Sequence, residues 1–399
     1  MPPSRTETIS RDSYPLPKLG TSDVSVSVIT SEIKSLEKPL LGLAQNDNQV
    51  THVDGQDDDD SVITERILAV IKTILLTKLP GAHDRWDQGV TSFLAVIRLF
   101  VEKRQTVKMC LPAFPWKSAN KVEKVLGILP DKAEEVALKR LNGICEAIGQ
   151  FYKPGAELLI ISDGLVYNDL LTIPDRDTWA YGEALRIMAE ELPCRHIKFT
   201  RLKDLVTIPN LPETIDEVTY ISNASNFRRA FLNEFANPDF DASKEIAEKE
   251  DTRMTYNGYC RFLRNDLRYI FHRGENRSGM QYKRDIKYIA KQMIIRGDAF
   301  ARAVKHNFPT HLRLSIHQST GEHKISISLL PTSTSYTTPW HCSVAYRTDG
   351  TLISRPKVEF EDDIAYELVW ENGRPSYYRE KEGDLEREDD WENSDTAAN

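Results

Sequence analysis

Residues 310–319, THLRLSIHQS, carry the clearest chemical pattern in the chain. Side chains alternate between the two faces of a β-strand, so every second residue of this segment shares a face. The polar face would carry His311, Arg313, Ser315 and His317. Imidazole groups move protons near neutral pH, and a guanidinium binds anions in a fixed geometry. The pattern predicts a strand with one face in the core and the other lining a polar site. Shortly after it, TPWH brings Trp340 and His341 to the start of another predicted strand.

The segment PAFPWKSAN, residues 112–120, places a cation and a hydroxyl where a predicted strand turns into a helix. Free N–H groups at a helix start favour anions, and Lys117 and Ser118 would strengthen that preference. A capping serine beside a surface lysine explains the pair as well. The segment lacks the glycines of a phosphate-binding P-loop, so that motif is excluded. Phe114 and Trp116 would form an apolar collar around it.

A second candidate lies at ISDGLVYND, where four apolar residues end in Asp163. A carboxylate at the exit of a buried strand could orient an amine or act as a general base. Asp-Gly is also a common turn pair, which gives the residue a purely structural explanation. Because the carboxyl ends of parallel strands form the ligand-binding edge of an α/β sheet, we expect Asp163 and the PAFPWKSAN segment to meet there.

Other kinds of site lack support in the sequence. No GxGxxG motif is present, which argues against a dinucleotide cofactor. Five separated cysteines without a CxxC pair, and histidines outside any HExxH or HxD pattern, argue against a metal site. The odd cysteine count and the absence of a signal core at the N-terminus indicate reduced thiols in a soluble, cytoplasmic protein.

These candidates need a framework of alternating elements. Strands at residues 107–111, 158–161 and 196–200 alternate with helices at 134–151 and 177–190. This βαβαβ order predicts a parallel sheet with right-handed crossovers. Two long helices at 244–269 and 281–305 would form an insertion, and Arg296-Gly297-Asp298 within the second has no explanation from the pattern. Strands at 311–317, 324–330, 341–346, 352–356 and 366–370, separated by Gly-containing turns, predict antiparallel hairpins in a β-rich C-terminal half.

The charge distribution suggests three regions. The chain of 399 residues carries a net charge of -8, concentrated in residues 54–60 and 380–395. We therefore expect a disordered acidic tail at 1–60, a catalytic domain at 61–380 and a second acidic tail at 381–399. The remaining body is mildly basic, which suits a small anionic ligand. It lacks the clustered basic face that nucleic-acid binding requires, and no apolar run is long enough to span a membrane.

Several long stretches resemble the pyoverdine/dityrosine biosynthesis family, the isonitrile (isocyanide) synthases of bacteria and fungi. They are PAFPWKSANKVEKVLGILPDKAEEVAL, YKPGAELLIISDGLVYND, the basic helix with IIRGDAF, LRLSIHQS followed by KISISLLP, and TPWHCSVAY, and together they cover about residues 60–380 in order. Two positions depart from the family pattern. Leu165 stands where bacterial members often carry a basic residue, and Cys342 stands where glycine is frequent. Either departure could reshape the pocket and shift amino-acid preference.

The resemblance implies a Rossmann-like α/β fold and a specific activity. The α-amine of an L-amino acid would take one carbon from ribulose 5-phosphate and become an isonitrile. Family substrates include tyrosine and tryptophan, with valine for some fungal members, and a related yeast protein acts on tyrosine for the dityrosine layer of the spore wall. No metal or organic cofactor is implied. A downstream oxygenase or P450 is the expected pathway partner.

The chemistry assigns roles to the candidates. A base must deprotonate the amine, a cationic cradle must hold the phosphate, and an apolar wall must receive the amino-acid side chain. The candidate catalytic residues are Lys117, Asp163, His317 and His341, and the candidate substrate-binding residues are Ser118, Asn120, Arg313, Phe114, Trp116 and Trp340. Two alternatives stay open: another α/β transferase, such as an S-adenosylmethionine-dependent methyltransferase, and a non-catalytic interaction module.

Overall fold

The central element of the fold is a five-stranded parallel sheet. The computed structural model of the chain describes residues 59–162, 164–271, 274 and 277–382. The strands of this sheet are β1 (Val107–Pro112), β2 (Ala156–Ile161), β3 (Ile197–Thr200), β4 (Leu312–Ser315) and β5 (Ile325–Ser326). Their order is β3-β2-β1-β4-β5, and every neighbouring pair is parallel. β1 and β2 are almost continuously apolar, as expected for central strands covered on both faces.

The strand order creates a switch point between β1 and β4. From β1 the chain builds outward to β2 and β3, and it later returns to the other side of β1 to place β4 and β5. In open α/β sheets the loops that follow strands on the two sides of such a point diverge, which leaves a crevice at the carboxyl ends. The sheet topology therefore predicts a ligand site beside the ends of β1 and β4.

Helices flank the sheet and form the insertion between β3 and β4. In chain order they are α1 (Asp60–Lys72), α2 (Trp86–Val101), α3 (Lys132–Gly149), α4 (Asp175–Glu191), α5 (Glu217–Phe235), α6 (Ala242–Glu248), α7 (Glu250–Asp266), α8 (Gly279–Asn307) and α9 (Lys357–Glu361). The first of the two crossover helices, α3, begins with a capping box, in which Asp131 and Glu134 satisfy each other's free backbone N–H groups. None of the helices in the described part of the chain is long and apolar enough to cross a membrane.

A second sheet occupies the C-terminal part. It consists of β6 (Ser343–Tyr346), β7 (Leu352–Arg355), β8 (Tyr366–Glu371) and β9 (Arg374–Glu380), in the order β7-β6-β9-β8. The turns at Asp349-Gly350 and Asn372-Gly373 join antiparallel pairs, as predicted, and both glycines adopt the positive φ that such turns require.

The α/β class, the parallel core, the helical insertion and the β-rich C-terminal half are confirmed. Several element predictions were wrong. β4 and β5 pair in parallel and complete the central sheet, although a hairpin was expected there. The predicted helix at 244–269 is two helices, α6 and α7, because Lys249 adopts an extended conformation. Helix α5 and strand β9 were not predicted, although the buried residues Tyr220, Ala224, Phe227 and Phe231 of α5 have the spacing of one helix face. The two predicted tails fall mainly on residues 1–58 and 383–399, which lie outside the described residues.

Candidate active site

A cavity of about 320 Å³ lies at the carboxyl ends of the central strands, at the switch point. One wall follows the ends of β1, β2 and β4. The opposite wall comes from α7 and α8 of the insertion, and Trp340 and His341 complete it. Residues that are far apart in the chain therefore share one enclosed space. Its position agrees with the general location of ligand sites in open α/β sheets.

Two cations face this cavity without a hydrogen-bond or ion-pair partner among the described residues. Arg313 on β4 and Lys324, just before β5, both line it, and each lowers the pKa of His317 through its charge. Among the residues that the structure describes, neither side chain forms a hydrogen bond or an ion pair. Burial lowers the pKa of both, although the Arg313 side chain remains accessible from within the cavity. Unpaired cations in a partly desolvated space are costly, and an anionic ligand would remove that cost.

The sequence pattern at 310–319 is confirmed in part. Leu312 and Leu314 are buried, and Arg313, Ser315 and His317 line the cavity. Leu314 and Ile316, which were expected on the core face, line it as well. His311 does not line it and instead packs against Phe308. Lys324 was missed, because it precedes a two-residue strand whose place at the sheet edge has no signature in the sequence.

His317 is held in the neutral form. Its ring meets that of Tyr259 edge-on, with centroids 5.3 Å apart. Burial, followed by the charges of Lys324, Arg313 and His341, lowers the pKa of His317 from 6.5 to about 3. A neutral imidazole can accept or donate one hydrogen bond beside the two cations. A bound anion would counteract their repulsion and raise this pKa.

The depressed pKa predicts a pH-dependent loss of stability. The unfolded chain protonates His317 near pH 6.5, whereas the folded chain resists protonation until about pH 3. The folded state therefore loses stability as the pH falls through this window. Between pH 7 and pH 5, we expect the melting temperature to fall less in the His317→Gln variant than in the unsubstituted chain. Thermal unfolding across this range measures the difference. Identical pH dependence in both would contradict the assigned neutral state.

His341 lies next to a buried carboxylate that the sequence did not reveal. Nδ1 of His341 is 3.2 Å from Oδ2 of Asp266, the last residue of α7. Asp266 also forms an ion pair with Lys124. Burial lowers the pKa of His341, and the Asp266 carboxylate only partly offsets this. His341 therefore faces the cavity as a neutral imidazole with a carboxylate behind it.

The Arg296-Gly297-Asp298 motif organises the cavity wall. Arg296 forms a two-pronged ion pair with Asp169 and donates a hydrogen bond of 3.0 Å to the carbonyl of Val166. These contacts fasten the short helical turns after β2 onto α8. A Cβ atom on Gly297 would lie 3.4 Å from the hydroxyl of Tyr167, so glycine lets this ring approach the helix. The motif thus acts as a local clamp.

Tyr167 and Tyr259 lie next to each other beside Arg313. Both line the cavity, and burial raises the pKa of Tyr167 to about 12 and that of Tyr259 well above its ordinary value. The pair therefore stays protonated at neutral pH. Phenolic hydroxyls in this state can donate hydrogen bonds to a ligand oxygen. Neither residue was identified from the sequence.

Aromatic side chains form the apolar part of the site. Trp116 and Trp340 line the cavity, and the indole N–H of Trp116 is buried without a hydrogen-bond partner among the described residues. Phe114 lies behind them, packed against Trp340 with ring centroids 5.2 Å apart. Gly164 is required here, because a Cβ atom at this position would lie 2.4 Å from the Trp116 ring. The glycine of the SDG motif therefore admits the Trp116 side chain.

Lys117, Ser118 and Asn120 lie outside the cavity. The expected helix start at Lys117 was wrong, because the chain stays irregular until α3 begins at Lys132. The Lys117 ammonium is completely buried between the carboxylates of Asp131 (2.8 Å) and Glu134 (2.7 Å). Ser118 and Asn120 are also buried, and their hydrogen bonds are to other residues of the protein. We therefore expect these three residues to position the site without touching a ligand.

The remaining candidate positions do not contribute described side chains to the cavity lining. Asp163 lies outside the described residues, so its predicted role stays a prediction. Leu165 and Cys342 are completely buried and do not line the cavity. Within the described ranges, no group of three or more His, Cys, Asp or Glu side chains could hold a metal ion.

The comparisons with known proteins agree with this geometry. The sequence model described as "Pyoverdine/dityrosine biosynthesis protein" matches residues 97–369, which include the cavity-lining residues of β1, β4 and α7. The chain belongs to this family. Two family relatives come from Aspergillus fumigatus. The isocyanide synthase-NRPS hybrid crmA is 53% identical to this chain, and the match covers 81% of this chain and 20% of crmA. The isocyanide synthase xanB is 43% identical, and the match covers 81% of this chain and 43% of xanB.

The chain thus spans less than half the length of these two relatives. A family member of similar size is the L-tyrosine isonitrile synthase of Pseudomonas aeruginosa, which is 34% identical over 71% of this chain and 82% of its own length. The crystal structure of PvcA from the same bacterium has a TM-score of 0.68 and 30% sequence identity, and the match covers 80% of this chain and 100% of that chain. The fold of the family member is therefore the fold of this chain.

Proposed function

We propose that this chain is an isonitrile synthase domain that converts the α-amine of an L-amino acid, of the tyrosine, tryptophan or valine type, with ribulose 5-phosphate as the carbon donor. The single observation that carries the proposal is a pair of cations, Arg313 and Lys324, that face the cavity beside a neutral histidine and have no hydrogen-bond or ion-pair partner among the described residues. A sugar phosphate supplies the anion that these cations lack. The family relationship supplies the reaction type.

The cavity offers a separate region for each part of the reaction. Arg313 and Lys324 would hold the phosphate and stabilise it as charge develops during its expulsion. The neutral ring of His341 would accept the proton that the α-ammonium must lose before the amine attacks the ketone. His317, next to the cations, would relay protons during the later fragmentation.

The amino-acid side chain would lie against the insertion. This part of the wall is mainly apolar and includes Phe262 of α7 and Met293 and Ile294 of α8, opposite Trp116. Such surfaces select by shape and bury aromatic or branched side chains favourably. The choice among tyrosine, tryptophan and valine would depend on these positions.

The alternative of an S-adenosylmethionine-dependent transferase is less compatible with the site. That cofactor carries a positively charged sulfonium, which two unpaired cations in the same cavity would repel. Ribulose 5-phosphate carries the opposite charge. A thermal-shift assay with either compound separates the two functions, because only the ligand that binds the folded state raises the melting temperature.

Product analysis tests the proposal directly. The chain is incubated with uniformly ¹³C-labelled ribulose 5-phosphate and each of the twenty amino acids, and the products are measured by mass spectrometry. We expect one amino acid to yield an isonitrile containing a single labelled carbon. Unlabelled donor and omission of the donor are the matched controls. A chain that is stabilised by the sugar phosphate but yields no labelled product with any amino acid would overturn the proposal.

A further inference from the structure

Asp266 occupies a position that stability alone does not favour. It is completely buried, and it is the last residue of α7, where the helix dipole disfavours a negative charge. The only described cation that it pairs with, apart from the titratable ring of His341, is Lys124, which is also buried. Burial opposes ionisation of Asp266, yet the charge of Lys124 holds the pKa of this carboxyl below its usual range. The site therefore contains a fixed negative charge behind the cavity wall.

The His341 ring is oriented between this charge and the cavity. Nδ1 is buried and lies 3.2 Å from Oδ2 of Asp266, while the side chain as a whole keeps 17% exposure and lines the cavity. The accessible edge of the ring is therefore the one that carries Nε2. Phe262 packs against the ring, with centroids 4.6 Å apart and planes inclined by 34°. The Nδ1–Oδ2 distance is within ion-pair range, although the two groups are poorly aligned for a hydrogen bond.

We propose that Asp266 is a positioning residue that holds His341 as the Nδ1–H tautomer, so that Nε2 is the proton acceptor inside the cavity. This inference rests on the proposed function. The Nε2 lone pair takes a proton from the α-ammonium of the amino acid, and the electrons of the broken N–H bond remain on the amine as the attacking lone pair. His341 becomes an imidazolium, and the carboxylate behind it stabilises that cation. Lys124 keeps the carboxylate ionised between turnovers.

If the ion pair between Lys124 and Asp266 had only a structural role, the variants would give different results. Breaking such a pair lowers stability, but it leaves the tautomer of His341 and the pH dependence of catalysis unchanged. The positioning role requires both to change when the carboxylate is removed. The two roles can therefore be separated in a single set of variants.

The decisive variant is Asp266→Asn, which keeps the shape of the side chain and removes its charge. In the full chain with ¹⁵N-labelled histidine, the His341 signals are assigned by their loss in His341→Gln. We expect the unsubstituted chain to show a protonated Nδ1 and an unprotonated Nε2. Asp266→Asn should shift this ratio toward the Nε2–H form and lower kcat on the order of 10²- to 10⁴-fold, with a smaller change in KM for ribulose 5-phosphate.

The pH profile provides a second measurement. Three charged groups act on His341: the Asp266 carboxylate raises its pKa, and Lys124 and Lys117 lower it in addition to burial. Removing the carboxylate lowers the pKa further. Because the neutral ring is the active form, the acid limb of kcat/KM should move to lower pH in Asp266→Asn.

Two further variants keep the test decisive. Asp175→Asn breaks a less deeply buried ion pair, with Arg228, away from the cavity, and it should leave the tautomer and the pH profile unchanged. If Asp266→Asn fails to fold because Lys124 is left unpaired, Lys124→Met combined with Asp266→Asn removes both charges and gives the same readouts. An unprotonated Nδ1 in the unsubstituted chain, or an unaltered tautomer ratio after loss of the carboxylate, overturns the inference. The tautomer measurement requires no turnover, so it stands apart from the failure of the proposed function.

Discussion

Replacing Arg313 and Lys324 by glutamine should abolish the use of ribulose 5-phosphate without destabilising the fold. Each cation is expected to contribute a charge-assisted contact to the phosphate, of about 1.5–3 kcal/mol, so each single variant should lose about 10- to 100-fold in kcat/KM for the donor. The double variant should lose roughly 10³-fold or more. Neither residue has a hydrogen-bond or ion-pair partner in the described ranges, although the charge of the Asp251 carboxylate favours the cationic form of Lys324. The variants should therefore keep a melting temperature close to that of the unsubstituted chain. Steady-state kinetics and thermal unfolding measure the two effects.

The comparison with a surface lysine makes this result specific. Lys198 on β3 pairs with Glu157 and is 59% exposed, so Lys198→Gln should change neither kinetics nor stability appreciably. Ligand stabilisation provides an independent check. Ribulose 5-phosphate should raise the melting temperature of the unsubstituted chain and of Lys198→Gln, and it should have little effect on the double variant. Undiminished stabilisation of the double variant by the sugar phosphate would refute the cationic site.

Lys117 should behave in the opposite way. Its buried ammonium neutralises the carboxylates of Asp131 and Glu134, and both would remain uncompensated in Lys117→Met. Removing one partner of a buried ion pair typically costs about 3–5 kcal/mol, so we expect a large fall in the free energy of unfolding. Chemical denaturation measures it. Activity per folded molecule should fall less, because the side chain does not line the cavity.

A rescue experiment distinguishes this structural role from a catalytic one. Lys117→Met combined with Asp131→Asn and Glu134→Gln removes all three charges, and it should recover much of the lost stability. The Glu134 side chain also accepts a hydrogen bond from Tyr181, which glutamine can preserve. If Lys117→Met unfolds like the unsubstituted chain yet loses turnover, the catalytic role expected from the sequence is restored.

The sequence predicted the strands and helices that position the site more accurately than it predicted the residues in the site. Periodicity and alternation were sufficient for the parallel core and for the face of β4 that carries Arg313 and Ser315, because burial on one face imposes that pattern. Lys117 was misplaced because a helix start was assigned to it, although the helix itself was predicted at 134–151. The capping box of Asp131 and Glu134, fourteen residues downstream of Lys117, marks the true start of α3.

Other residues could not have been found from local patterns. Lys324 reaches the cavity only because a two-residue strand joins the edge of the sheet, and Asp266 only because the insertion folds back over the switch point. Both placements depend on contacts between distant segments. Asp266 is about 75 residues from its partner His341, and nothing near either residue signals the pairing. Such sites follow from topology, which has to be known before they can be recognised.

The two walls of the cavity have different origins, and this has a consequence for the diversification of the family. The cations come from β4 and the approach to β5, whereas much of the apolar surface comes from α7 and α8. Under the proposed function, substitutions in the two helices would change which amino acid is accepted and would leave the phosphate-binding cations in place. A change of amino-acid substrate would then require only a few substitutions on one side of the cavity.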